Sequence, residues 1–208
     1  MRKYYILLLG MILPLLGLWA QTTIGFDIDS NWTAGSTALT SYASNHSYSD
    51  GLFSATGGPA LRQTTTSQDG QPGAFGTYAW RLKDVTNVNW VITIASGGVA
   101  DFSLKIRRWD GIPSPDMNLE YSTDGSNWNL VSVINNANLD ESSAWKLFSG
   151  SINSSASNIQ IRLIANGETE RIMIDDFSWN PYSGQPDPEL SIAPSELSGF
   201  EYLWNSGP

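Results

Sequence analysis

The chain has 208 residues, with 11 Lys+Arg against 20 Asp+Glu, a net charge of −9, one His, no Cys and 19 Gly. These counts exclude a disulfide framework, thiolate metal sites, a Cys nucleophile and a multi-histidine metal centre. They leave length for one domain with a sizeable core, and nine Trp, eight Tyr and seven Phe make that core aromatic.

Arg2 and Lys3 precede an apolar run from Ile6 to Trp19 that is broken at Pro14, and Ala20-Gln21 supplies a small-residue cleavage point. Residues 1–20 therefore read as a secretory signal peptide, the run being short for a bilayer span. No later segment approaches spanning length, so the cleaved chain is expected in the extracellular space or at the cell surface. Cleavage removes two positive charges from −9 and leaves −11. So acidic a chain disfavours nucleic acid, which needs clustered Lys/Arg. One local basic run stands at Lys105, Arg107 and Arg108.

His46 lies in Ser44-Asn-His-Ser-Tyr-Ser-Asp50, a polar stretch that reads as a solvated loop. From there on apolar residues alternate at period two. Trp90, Ile92 and Ile94 form one set, Phe102, Leu104 and Ile106 a second, Met117, Leu119 and Tyr121 a third, and Ile159, Ile161 and Leu163 a fourth. In the last strong strand Met173, Asp175, Phe177 and Trp179 share one parity. Turn-forming Gly, Asn, Asp, Ser and Pro separate these runs, and Asp124-Gly125 marks a tight hairpin between Leu119–Ser122 and Trp128–Val133. The pattern predicts an all-β fold, an antiparallel β-sandwich of jelly-roll type, over residues 21–180. Residues 181–189 read as a Pro-rich linker, and Leu190 begins a new pattern that 19 residues cannot close into a core. The expectation is a front part of a longer protein, with 190–208 the truncated start of a second domain.

Two stretches carry a resemblance: Arg107-Arg-Trp-Asp-Gly111 running on through Tyr121-Ser-Thr-Asp-Gly-Ser-Asn-Trp128, and Glu170-Arg-Ile-Met-Ile-Asp-Asp-Phe-Ser-Trp179. Together they resemble the galactose-binding-like jelly-roll modules at the front of secreted bacterial multidomain proteins, some of which carry endonuclease I or lamin-tail domains further along. The tail Pro194-Ser-Glu-Leu-Ser-Gly-Phe-Glu-Tyr202 is similar to the start of an Ig-like repeat. More broadly, Phe26-Asp27-Ile-Asp29-Ser-Asn-Trp32 at the front and Ile174-Asp175-Asp176-Phe177 at the back resemble carbohydrate-binding modules of the jelly-roll type. That resemblance implies a structural calcium held by Asp27 and Asp175, with Asp27 standing where the modules have Glu. The plain alternative has Asp175 and Asp176 accepting backbone hydrogen bonds at a strand end. Ser122 to Trp128 also looks like a shortened Asp-box turn of sialidases, which turn chemistry alone explains.

Catalytic patterns are missing: no Gly-x-Ser-x-Gly elbow accompanies His46, and no carboxylate pair repeats along one strand face. This chain is expected to be no enzyme. Ligand binding fits better, because sugar rings stack on Trp and Tyr while their hydroxyls bond to Arg, Asn and Asp. Most tryptophans belong in the core or its rim. The expected ligand contacts are Trp109, Arg107, Arg108, Asp110 and Trp80, the first four opening the loop Gly111 to Pro115. Three readings follow: a secreted module binding a glycan or cell-surface partner, an appendage of an enzyme whose catalytic domain lies downstream, or a spacer in an adhesin-like protein. Sequons at Asn31, Asn45 and Asn153 matter only in a host that modifies them.

Overall fold

The computed structural model describes residues 22–64, 71–110, 116–140, 144–167 and 169–184. The expected signal peptide (1–20), most of the linker and the Ig-like tail (190–208) lie outside the described residues. Among the described residues there are thirteen strands: β1 (Thr22–Ile24), β2 (Trp32–Thr33), β3 (His46–Asp50), β4 (Phe53–Gly58), β5 (Ala60–Thr64), β6 (Tyr78–Leu82), β7 (Asn89–Ile94), β8 (Val99–Arg108), β9 (Met117–Ser122), β10 (Asn129–Ile134), β11 (Lys146–Ser154), β12 (Ile159–Ala165) and β13 (Ile172–Asn180). One sheet has the order β11-β8-β13-β6-β5, with β1 also on β13, and the other β10-β9-β12-β7-β4-β3-β2. Every pairing is antiparallel, and from β4 onward the chain repeatedly crosses between sheets. This is the expected β-sandwich.

The period-two sets point inward as their alternation requires. Trp90, Ile92, Ile94, Phe102, Leu104, Ile106, Leu119, Ile161 and Leu163 all join one core. Phe26 plugs the middle of it, 5.2 Å from the Tyr48 ring and 6.2 Å from the Trp90 ring. Its backbone sits at φ 58°, strained for a bulky residue, and its carbonyl accepts the Trp32 indole N–H at 2.7 Å. The Phe26…Trp32 motif thus anchors the entry of the chain while Asp27 turns away from the core.

β13 departs from the expected parity. Ile172 and Ile174 face the core, and so do Phe177 and Trp179, because the register against β8 shifts between Asp175 and Ser178. Asp176 takes φ 47° at that bulge. One extra residue exchanges the two faces of the strand, so Met173 and Asp175 do not share a face with Phe177. The expected hairpin forms as read. Ser122 Oγ accepts the Gly125 N–H, and Asp124 Oδ1 accepts the N–H groups of Ser126 and Asn127. These donors hold the Asp124 carboxyl below its ordinary range.

His46 is the other correction. It opens β3 and is fully buried. Its Nδ1 accepts the Gly35 N–H at 2.8 Å, which leaves Nε2–H to donate to the Ser41 carbonyl at 2.9 Å. Both ring nitrogens are committed to the main chain, so the sole histidine has no free nitrogen for acid–base chemistry.

Candidate functional site

Two clusters of functional groups form on and around the six-stranded sheet. The first follows from the bulge. β13 leaves β6 after Ile174 and meets β1 from Phe177, so Asp175 and Asp176 stand between one partner and the next. The Asp175 carboxylate turns to the segment ahead of β6. Its Oδ2 accepts the N–H groups of Ala74 at 2.8 Å and Phe75 at 3.4 Å, and its Oδ1 that of Asp176 at 2.8 Å. Asp27 Oδ1 holds the next stretch of the same segment through the N–H groups of Thr77 at 2.6 Å and Tyr78 at 2.9 Å. Asp176 reaches Lys105 Nζ at 2.8 Å.

Burial dominates the titration of Asp175. Loss of water pushes its carboxyl up to about 8, the neighbouring Asp176 charge adds to the rise, and the three backbone N–H groups oppose it. The glycines of the segment shape the space beside it. A Cβ on Gly73 would stand 2.9 Å from Asp175 Oδ2, 3.0 Å from the Phe75 carbonyl oxygen and 3.7 Å from that of Tyr78. Three oxygens therefore face one small space that a side chain would fill. A Cβ on Gly76, at φ 69°, would overlap the Asp27 carboxylate. Among the described residues no three Asp, Glu, His or Cys side chains gather closely enough to hold a metal. Asp175 Oδ2 and the two carbonyls are hard oxygens, and the Asp27 carboxylate lies against Gly76 of the same segment.

The second cluster forms where β6 and β8 end and β13 begins. Register sets Arg81, Met173 and Arg107 side by side on the outer face. The Arg81 guanidinium lies over the Trp109 ring, 4.0 Å from its centroid, and 5.2 Å from that of Tyr42. Trp109 N–H donates to the Arg171 carbonyl at 2.9 Å, and the Arg171 guanidinium grips Asp110 with two bonds of 2.8 and 2.5 Å. That pair holds Arg171 above its ordinary range, with the Asp110 hydrogen bond as the largest cause. Trp109, Asp110 and Arg171 are half-buried. Positive charge is answered inside the cluster, and a ring and polar edges are left at the surface.

Three of the five expected ligand contacts need correcting. Trp80 is wholly inside the core, its ring 4.6 Å from that of Trp32, and presents no face to a ligand. Arg108 points inward at a strand end and donates to Asn136 Oδ1 and the Asp140 carbonyl, tying down the turn before β11. Arg107 is buried as well, bonded to Gln71 at 2.6 Å with its guanidinium 5.7 Å from the Trp145 ring. Alternation misleads here because an arginine can snorkel along a covered face while its head finds partners. Trp109 and Asp110 remain at the surface, and Tyr42 and Arg171 join them without a sequence signal. The Gly73–Tyr78 oxygens were equally hidden, since a carbonyl donor leaves no mark on residue type.

In overall fold the chain is similar to the K2 cleaved adhesin domain of Lys-gingipain, with a TM-score of 0.52 and 14% identity over 77% of this chain and 99% of that one. The C-terminal family 22 carbohydrate-binding module of Clostridium thermocellum Xyn10B scores 0.45, with 16% identity over 71% and 98% of the two chains. TmCBM61, in complex with β-1,4-galactotriose, scores 0.42, with 15% identity over 62% and 88%. No protein-family model and no curated protein matches the chain. At 14% identity the adhesin domain speaks for the β-sandwich fold alone. Among the described residues, no helix is long and apolar enough to cross a membrane.

Proposed function

We propose that this chain is a secreted, non-catalytic β-sandwich module that binds carbohydrate through the cluster around Trp109. The carrying observation is that Trp109 is half-buried at a loop end, backed by Arg81 on the ring and by Asp110–Arg171 beside it. A rigid ring with satisfied polar neighbours suits a sugar face, since stacking and hydroxyl hydrogen bonds are then offered together. The committed nitrogens of His46 support the non-catalytic reading. The leader, linker and tail belong to the same proposal: an exported module joined through 181–189 to a further domain beginning near 190. A glycan array probed with the purified chain and with Trp109→Ala tests it. Saturable binding that the variant loses is expected, and binding unchanged by the variant, or none across the array, would overturn the reading.

Calcium enters as a structural element of that module. Asp175, the Phe75 and Tyr78 carbonyls and Asp27 would hold it, and its charge would take the place of the proton that burial favours on Asp175. The ion would lock the segment 73–78 to β13 and to the turn after β1. Thermal unfolding in calcium against a chelator tests this separately from sugar binding.

A further inference from the structure

We propose that a second groove, where residues 42–45 pass the ends of β4 and β7, binds a neutral polyhydroxylated ligand through side-chain amides. The groove measures about 270 Å³ and is walled by Ser44, Asn45, Thr56, Asn87 and Asn89 over the Gly57–Gly58 backbone. No ionisable side chain lines it, in a chain whose net charge is −9. Asn45, Asn87 and Asn89 are all exposed, and among the described residues none of their carboxamides meets a protein partner. Each carboxamide offers two N–H donors and a carbonyl acceptor. Neighbouring hydroxyls on a sugar ring need that alternation of donor and acceptor, whereas a uronate or phosphate would find no cation to meet its charge.

The wall is fixed before any ligand arrives. Buried His46 accepts the Gly35 N–H and donates to the Ser41 carbonyl, which closes residues 35–46 into a compact turn. Ala43 and Ala60 exchange backbone hydrogen bonds of 3.0 and 3.1 Å across its base. Asn45 is held at φ 66°, a conformation asparagine tolerates better than most residues. A Cβ on Gly58 would stand 2.9 Å from Ser44 Cα, so glycine is what lets β4 pass directly beneath the wall. The backbone that carries Asn45 is therefore ordered before binding, and the carboxamide rotamers are what a ligand must still fix. The inference extends the carbohydrate-binding reading and rests on it for the ligand class, while using none of the residues around Trp109.

The test is NMR of the ¹⁵N-labelled full chain, following Asn side-chain amides during titration with xylohexaose, β-1,4-galactotriose and, as a charged counterpart, trigalacturonate. The NH₂ signals of Asn45, Asn87 and Asn89 are expected to shift with at least one neutral sugar and not with trigalacturonate. Asn87→Ala combined with Asn89→Ala should weaken that binding about tenfold, the loss of roughly one to two net hydrogen bonds, with thermal unfolding unchanged. Shifts confined to the surroundings of Trp109 would overturn the groove and leave the module reading standing. Shifts at the three amides that persist in Trp109→Ala would support the groove as a site independent of Trp109. Amides that stay still with every sugar, or that respond to trigalacturonate equally, would overturn the groove.

Discussion

The Asp27–Asp175 cluster and the Arg81–Trp109 cluster are built from comparable numbers of charged groups with opposite outcomes. At Trp109 each charge meets its counter-charge or a ring, and Asp110 and Arg171 are bonded twice over. At Asp175 two adjacent carboxylates share one lysine, Lys105, which bonds Asp176. Asp175 is left with backbone N–H groups and a carboxyl pushed up to about 8. The first region is electrostatically complete in the folded protein, so what it offers outward is shape. The second is short of positive charge, so what it can accept is a cation or a proton.

The largest effects should appear at the acidic cluster. Gly76→Ala places a Cβ onto the Asp27 carboxylate at a backbone φ of 69°. Strain and overlap together should cost about 3–5 kcal/mol by denaturant unfolding. Gly97→Ala is the control: its φ of 85° is as unfavourable, but nothing lies within 4 Å, so only about 1–2 kcal/mol should be lost. Equal losses would mean the close approach to Asp27 does not matter.

Calcium comes next. At about a hundredfold excess over its Kd it should add about 2.7 kcal/mol, or roughly 5–10 °C in melting temperature for a domain of this size. The pH dependence has a fixed sign. Asp175 is raised above its unfolded value, so its stabilising contribution is complete below about pH 4 and is lost as pH rises through about 8. In chelator the melting temperature should therefore fall between pH 5 and 8, with Asp27, Asp176 and Lys105 the charged neighbours of the segment. Calcium should flatten that fall, and Asp175→Asn should abolish both the fall and the calcium effect. A calcium-independent melting curve would remove the ion from the description.

At the Trp109 cluster the same kind of change should do much less. Asp110→Ala removes a bidentate partner that is only partly buried, which should cost about 1 kcal/mol and less in high salt. A loss above about 3 kcal/mol would show that Arg171 is left as a buried unpaired charge, and the contrast between the two clusters would fail.

How much of this was legible in the sequence depends on whether residue type or backbone carries the information. Alternating Trp90/Ile92/Ile94 and Phe102/Leu104/Ile106 announce strands because the face a side chain takes is set by its parity. Asp124-Gly125 announces its hairpin because few residues tolerate that turn. The same parity rule misplaces Asp175 relative to Phe177, since a bulge adds one residue without changing composition. Trp80 and Trp109 look alike on paper, each beside an arginine, yet one is core and the other surface. His46 sits among polar residues and still lies buried, because its polar neighbours are loop backbone that it bonds. The resemblance names Asp27 and Asp175 together, but that both accept main-chain N–H groups of one segment, Ala74 to Tyr78, is carried by neither motif nor spacing.

The smallest effect is the one that separates the two tryptophans. Trp109→Ala removes a half-buried ring and its contact with the Arg81 guanidinium at 4.0 Å. It leaves intact the backbone hydrogen bond from residue 109 to the Arg171 carbonyl, which needs no side chain. A stack of this kind contributes about 0.5–1 kcal/mol when partly exposed, so the stability cost should be about 1 kcal/mol. Trp80→Ala, which opens the core, should cost about 3–5 kcal/mol. A double-mutant cycle of Trp109→Ala with Arg81→Gln should return a coupling of about 0.5–1 kcal/mol. If Trp109→Ala instead approached the Trp80 value, its ring would be holding the sandwich together. It could not then be spared to a ligand, and the outward-facing character assigned to this end of the molecule would be lost.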